Sequence, residues 1–194
     1  MDDKPTYEVE KYKDLNSDFQ KNPDHFLNKL YSIYLFDPKI TDDSDSSTDL
    51  SFSSNSQMIL SSRNDLAVIL LSETHTLISD IKSGQDKIKS LTFPEELLSN
   101  NVSGKRKRNA LKLNYNSKIS TIVMESGITY DILAGVTGFL LEINKSLMEN
   151  PNEKLIDKNG YFVIMKVWIN RGSDDYDFSK PYYKAVCFDE NKNL

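Results

Sequence analysis

The sequence predicts an α+β fold: N-terminal helices with a long heptad-like helix, then a C-terminal antiparallel sheet crossed by one helix. Three observations carry that expectation. Leu70, Leu77, Gly84 and Leu91 recur every seven residues, with Ala67, Thr74, Ile81 and Ile88 offset by three or four, the two seams of a heptad. Ile132, Val136, Phe139, Ile143 and Leu147 form a second stripe at helical spacing. On either side of that stripe, at 111–124 and 154–189, apolar and polar residues alternate with the period of a strand.

The elements follow in order. Residues 1–40 read as an N-terminal helical arm. Asn22 is a good N-cap and Pro23 suits the first helical position, where its missing N–H costs nothing. Phe26, Leu27, Leu30, Ile33 and Tyr34 then recur at helical spacing until Asp37-Pro38 stops the run. Residues 41–61 are acidic and Ser-rich, too poor in apolar side chains to offset their ordering entropy, and read as a disordered linker. Ser44, Ser46 and Ser47 sit among acids there and are candidate phosphorylation sites.

Residues 62–98 read as the long amphipathic helix, ended or kinked at Pro94, and 99–110 as a loop carrying Lys105, Arg106, Lys107 and Arg108. Residues 111–194 read as a two-layer α/β domain. It contains a hairpin over 111–124 and a helix over 129–149. It continues with a tight turn at Asn159-Gly160 and paired strands at Tyr161–Ile169 and Tyr182–Phe188. Gly135 and Gly138 weaken that helix, so close backbone approach to a sheet is their expected use. The order helix-β-β-helix-β-β is similar to that of small adaptor domains such as the roadblock and RWD folds; this is an analogy of element order, without a shared motif.

Composition narrows the function. Only 38% of the 194 residues are hydrophobic, so the core is modest and part of the chain lies outside it. No apolar stretch is long enough to span a bilayer, and the polar, acidic start lacks the features of a signal peptide. A single cysteine, Cys187, allows no internal disulfide and points to a reducing compartment. The first sixty residues hold twelve acids and six bases, whereas the rest is nearly neutral.

Enzyme chemistry finds little to build on. His75 falls outside both heptad seams and is expected at the surface; His25 opens the first helix; Cys187 sits in a strand with no basic neighbours to lower its pKa. With one thiol and two histidines no zinc site is expected, and Asp174, Asp175 and Asp177 lack the spacing of a calcium loop. No phosphate-binding glycine motif is present. The expectation is a non-enzymatic protein with no cofactor, no metal and no membrane partner.

The expected function is therefore that of a protein–protein interaction or scaffold subunit. It would work in a nuclear multiprotein complex, in chromosome segregation, recombination or transcription, as a homo- or hetero-oligomer. Lys105–Arg108 serve as a nuclear import signal. Leu70, Leu77, Ile81 and Ile88 on the helix, with Trp168 on a strand, are the expected partner contacts. The second reading is nucleic-acid binding through that basic run and a face on which Phe162, Ile164, Lys166 and Trp168 gather, joined by Tyr182 and Lys184.

Overall fold

The computed structural model describes residues 31–40, 52–62, 64–99, 110–157, 160–168 and 178–186. Ten strands, three short helices and one 3₁₀ turn account for the regular elements among them. β1 (Tyr31–Phe36), β2 (Gln57–Ser62) and β3 (Leu66–Leu71) form a meander. Helix α1 (Thr76–Ser83) leads to β4 (Ile88–Thr92) and the one-turn α2 (Glu95–Leu98). β5 (Lys112–Leu113), β6 (Lys118–Met124), β7 (Thr129–Leu133) and β8 (Gly138–Ile143) follow. After the 3₁₀ turn at Lys145–Met148 and α3 (Pro151–Lys154) come β9 (Val163–Val167) and β10 (Tyr183–Ala185).

The strands divide into two sheets. The larger has seven strands in the order β10-β1-β2-β3-β9-β8-β5; the smaller has three, β4-β6-β7. Every pairing is antiparallel. Ile59, Ile69, Met165, Val163 and Val167 of the large sheet and Ile122, Met124 and Ile132 of the small one are buried in one core cluster. Leu77 and Ile78 of α1, Leu97 of α2 and Leu147 of the 3₁₀ turn belong to the same cluster.

The expected α+β architecture is thus replaced by a sheet-dominated one. The heptad-like helix is absent: residues 62–92 are divided among the end of β2, β3, α1 and β4. Leu66–Leu71 is a run of six apolar residues, and a central strand lined with apolar side chains on both faces has no period of two to betray it. The hairpin turn before it is set by Ser62, whose Oγ accepts from the N–H groups of Asn64 and Leu66, and by Asp65 at φ 57°. Within 62–92 only the eight residues of α1 are helical, starting at a His75 cap and ending at Gly84 in the left-handed region (φ 72°).

The remaining helices go the same way. The Ile33 end of the expected N-terminal helix is strand β1, and the stripe at 129–149 is the pair β7 and β8 with a 3₁₀ turn. β-Branched and aromatic residues in these stretches favour the pleated surface they adopt. Gly138 does serve a close approach, though in a strand: a Cβ there would stand 2.5 Å from the Lys166 carbonyl oxygen of β9. The expected 111–124 hairpin and the pairing of 161–169 with 182–188 are also reassigned. β5 pairs with β8, β6 lies between β4 and β7, β9 lies between β3 and β8, and β10 pairs with β1.

Carboxamide side chains tie the two sheets and close their edges. Gln57, at the start of β2, donates from Nε2 to the Leu133 carbonyl (2.7 Å) and accepts from the Leu133 N–H (2.9 Å). Asn152 does the same for Ile88 of β4, at 2.8 Å to its N–H and 3.3 Å to its carbonyl. Each amide stands in for a neighbouring strand, on either margin of the small sheet. The C-terminal segment is held to the large sheet by aromatic contacts. Phe178 stacks on Tyr34, Tyr182 stacks on Tyr115, and the Tyr183 hydroxyl donates to the Gly135 carbonyl at 2.6 Å.

Candidate functional site: the outward face of the large sheet

Alternation along each strand of the large sheet puts every second side chain on the side away from the core. The register lines them up in rows. Leu35, Met58 and Leu70 form one row. Ile33, Leu60, Val68 and Ile164 form the next. Leu66, Lys166, Phe139 and Lys112 form a third. Trp168 continues the parity of Ile164 and Lys166; its ring lies 5.3 Å from that of Phe139, with the Lys112 Nζ 4.9 Å from the indole. Apart from Ile33, which is buried, the apolar members are half-buried, and none joins the core cluster. Helices α1 and α2, the 3₁₀ turn and the small sheet lie on the opposite side of the large sheet, since their buried side chains belong to the core.

Polar groups are sparse on this face. Lys166 Nζ reaches the Asn64 carbonyl and the Asp65 carboxylate (3.3 Å) at the rim. Glu142 accepts from the Tyr161 hydroxyl at 2.7 Å. Partial burial, and then the Glu142 carboxylate, push that phenol up to about 12. An antiparallel sheet facing water on one side ordinarily carries polar side chains there. A contiguous apolar face marks an interaction surface on a folded protein.

The structure scatters the five expected partner contacts. Leu70 and Trp168 lie on the outward face. Leu77 and Ile88 are buried in the core from α1 and β4, and Ile81 packs partly buried against it. A helical seam cannot survive when its members fall on three different elements. Among the expected aromatic and basic group, Ile164, Lys166 and Trp168 share a face, whereas Phe162 is fully buried just before β9 begins. Tyr182 is buried too; Lys184 lies on the outward face but on β10, four strands from β9. Ile33, Leu35 and Val68 were missed because a helical period was imposed on them, and Met58 and Leu60 because residues 41–61 were read as a disordered linker. In β2 the run Met58-Ile59-Leu60 between Gln57 and Ser61 is apolar on both faces and carries no alternation to mark them. Ser44, Ser46, Ser47, Lys105, Arg106, Lys107, Arg108, His25, Cys187 and the Asp174–Asp177 loop lie outside the described residues.

His75 is not at the surface. It is 2% exposed, its Nδ1 accepts from the Leu77 N–H at 3.1 Å as the cap of α1, and its ring meets Tyr130 edge-on. Burial lowers its pKa to about 4, so the neutral imidazole that the cap requires is the stable form. Among the described residues no cluster of three or more metal-ligating side chains occurs. A cavity of about 480 Å³ forms an open polar groove between β4 and residues 148–153.

No family model matches the chain. Its sequence is similar to a protein named Abitram from Dictyostelium discoideum, 31% identical over 132 residues, a match covering 65% of each chain. The Xenopus tropicalis protein of that name is 32% identical over 110 residues, covering 55% of this chain and 60% of the frog protein. The Homo sapiens protein is 29% identical over 113 residues, with the same coverage. The matches thus leave more than a third of each relative's length unspanned. Among solved structures, a glycine cleavage system H protein from Mycobacterium marinum aligns with a TM-score of 0.37 at 9% identity. It covers 57% of this chain and 77% of that one. The chain is thus similar, over about half to two thirds of its length, to the proteins named Abitram.

Proposed function

We propose that this chain is a non-enzymatic protein-interaction subunit that seats a partner protein on the outward face of its seven-stranded sheet. The observation that carries the reading is the two adjacent rows of apolar side chains, Leu35, Met58 and Leu70 beside Leu60, Val68 and Ile164, standing away from the core. Partly exposed aromatics and aliphatics at a sheet's centre are the side chains that supply binding energy at interfaces, and Trp168 with Phe139 adds an anchor of that kind. The reading extends to a nuclear assembly through Lys105–Arg108, four consecutive bases suited to an import receptor.

Leu70→Glu with Ile164→Glu places two carboxylates in the face without touching the core. Tagged full-length wild type and double variant are compared for proteins bound from nuclear extract, with thermal melts as the control for folding. The expected result is loss of the bound proteins from a variant that melts normally. An unchanged bound set from a folded double variant rejects the face as the site. Nuclear exclusion of a fluorescent fusion is expected when Lys105, Arg106, Lys107 and Arg108 are all changed to Ala.

The second reading, nucleic-acid binding, has a narrower base: Trp168, Phe139, Lys112 and Lys166 gather at one corner of the same face. Lys166 is already engaged by Asp65, and the net charge of −5 opposes a polyanion.

A further inference from the structure

The outward face is apolar through its middle and basic at both margins. Lys184 is on β10 and Lys112 on β5, the two edge strands of the large sheet. Lys184 pairs with Leu35, which pairs with Met58, so its side chain rises on the outward side. Lys112 pairs with Phe139, which pairs with Lys166, and rises on the same side. Both are exposed, and neither ammonium has a carboxylate partner among the described residues. The two other charged groups of the face are satisfied, Lys166 by Asp65 and Glu142 by Tyr161. Six inter-strand steps separate the two edge strands, or ~29 Å at ~4.8 Å each.

We infer that the partner polypeptide presents an apolar stretch bracketed by acidic side chains, one acidic end meeting Lys184 and the other Lys112. This rests on the interaction reading above and specifies the partner's chemistry. The apolar stretch covers the central rows, where a charge would be desolvated without a mate. The acidic ends lie at the solvated margins, where pairing with lysine sets orientation and association rate more than affinity. A helix of about 20 residues spans the required distance at 1.5 Å per residue.

The test uses the full chain and three synthetic peptides of that length, since the partner is unidentified. The first carries leucines at helical spacing with two glutamates at each end. The second has lysines in place of the glutamates. The third keeps the glutamates but replaces leucine with serine. Trp168, the chain's single tryptophan, reports occupancy of the face by its emission, and calorimetry gives the affinity independently. The glutamate-ended leucine peptide is expected to bind about tenfold more tightly than the lysine-ended one at low salt, as two contacts of modest strength turned from attraction to repulsion would give. The gap should narrow as salt screens the margins, and Lys112→Glu with Lys184→Glu should reverse the preference. Equal affinity for the two leucine peptides, both shifting Trp168, overturns the acidic bracket and leaves the interaction face standing. If neither leucine peptide binds, the bracket and the apolar face fail together.

Discussion

The two sheets share one core and differ on the sides turned away from it. On the small sheet the outward positions include Ser90, Thr129, Thr92, Thr121 and Asp131, with Val123 among them. Thr121 and Lys118 both contact the Asp131 carboxylate there. The inward positions, Ile88, Leu91, Ile122, Met124 and Ile132, are buried. That is the usual division for an antiparallel sheet with one wet side. On the large sheet the inward rows are equally buried, yet two outward rows are aliphatic and the third sets Leu66 and Phe139 among Lys166 and Lys112. The small sheet shows what this chain does with a face that meets water, and the large sheet departs from it over two rows. Solubility alone would favour the small sheet's pattern on both, so the difference is better assigned to binding than to folding.

The sharpest way to break that contrast uses neighbouring residues of β3. Ile69 faces the core and is fully buried, and Val68 beside it faces outward and is half-buried. Ile69→Ala should cost about 2–5 kcal/mol of unfolding free energy, for lost burial and the cavity left behind. Val68→Ala should cost no more than about 1 kcal/mol, as substitutions away from the core do. Urea unfolding of both variants measures the ratio. Equal losses would mean that the outward face is packed in the isolated chain, and the interaction reading would lose its main support.

How much of this was legible beforehand follows from the same strands. Trp168 and Lys166 were placed on one face correctly because period-two alternation survives in β9. The fold class was not legible, because β3 is apolar on both sides and its outward residues supplied a false heptad through Leu70. Nothing local distinguishes a strand whose outward side chains await a partner from a stretch of buried helix; length and turn chemistry must decide. Here Asn64-Asp65 and Thr74-His75 were the turn signals that cut the apparent helix. The pairing of β1 with β10, and of β5 with β8, joins segments far apart in sequence, and no local pattern specifies such partners.

A smaller effect tests the core side of the comparison through pH. His75 caps α1 beneath the small sheet, and its folded pKa of about 4 lies below the ordinary 6.5. The unfolded chain therefore binds more protons between these values, and stability rises with pH across that window. The contribution is fully present above about pH 6.5 and is lost as pH falls towards about 4, a difference of about 3 kcal/mol at most. His75→Asn, which can still cap the helix, should flatten that part of the stability curve relative to wild type. Parallel curves for the two proteins between pH 4 and 7 would show that His75 is not titrating from a buried, neutral state.

The smallest effect concerns the carboxamides that close the margins of the small sheet. Gln57 is buried and bridges the two sheets by holding both backbone groups of Leu133. Asn152 holds Ile88 from a partly exposed position beside the polar groove. Gln57→Ala leaves a donor and an acceptor without partners in a dry setting and should cost about 2 kcal/mol, whereas water can replace Asn152 and its removal should cost about 1 kcal/mol. Hydrogen exchange sharpens the comparison: the Leu133 amide should lose protection in Gln57→Ala and the Ile88 amide in Asn152→Ala. Should both variants lose protection across the outward rows of the large sheet as well, the two sheets would open as one unit. If protection falls only in the small sheet, the large sheet holds its outward face in place independently of the edges opposite, as a rigid docking platform must.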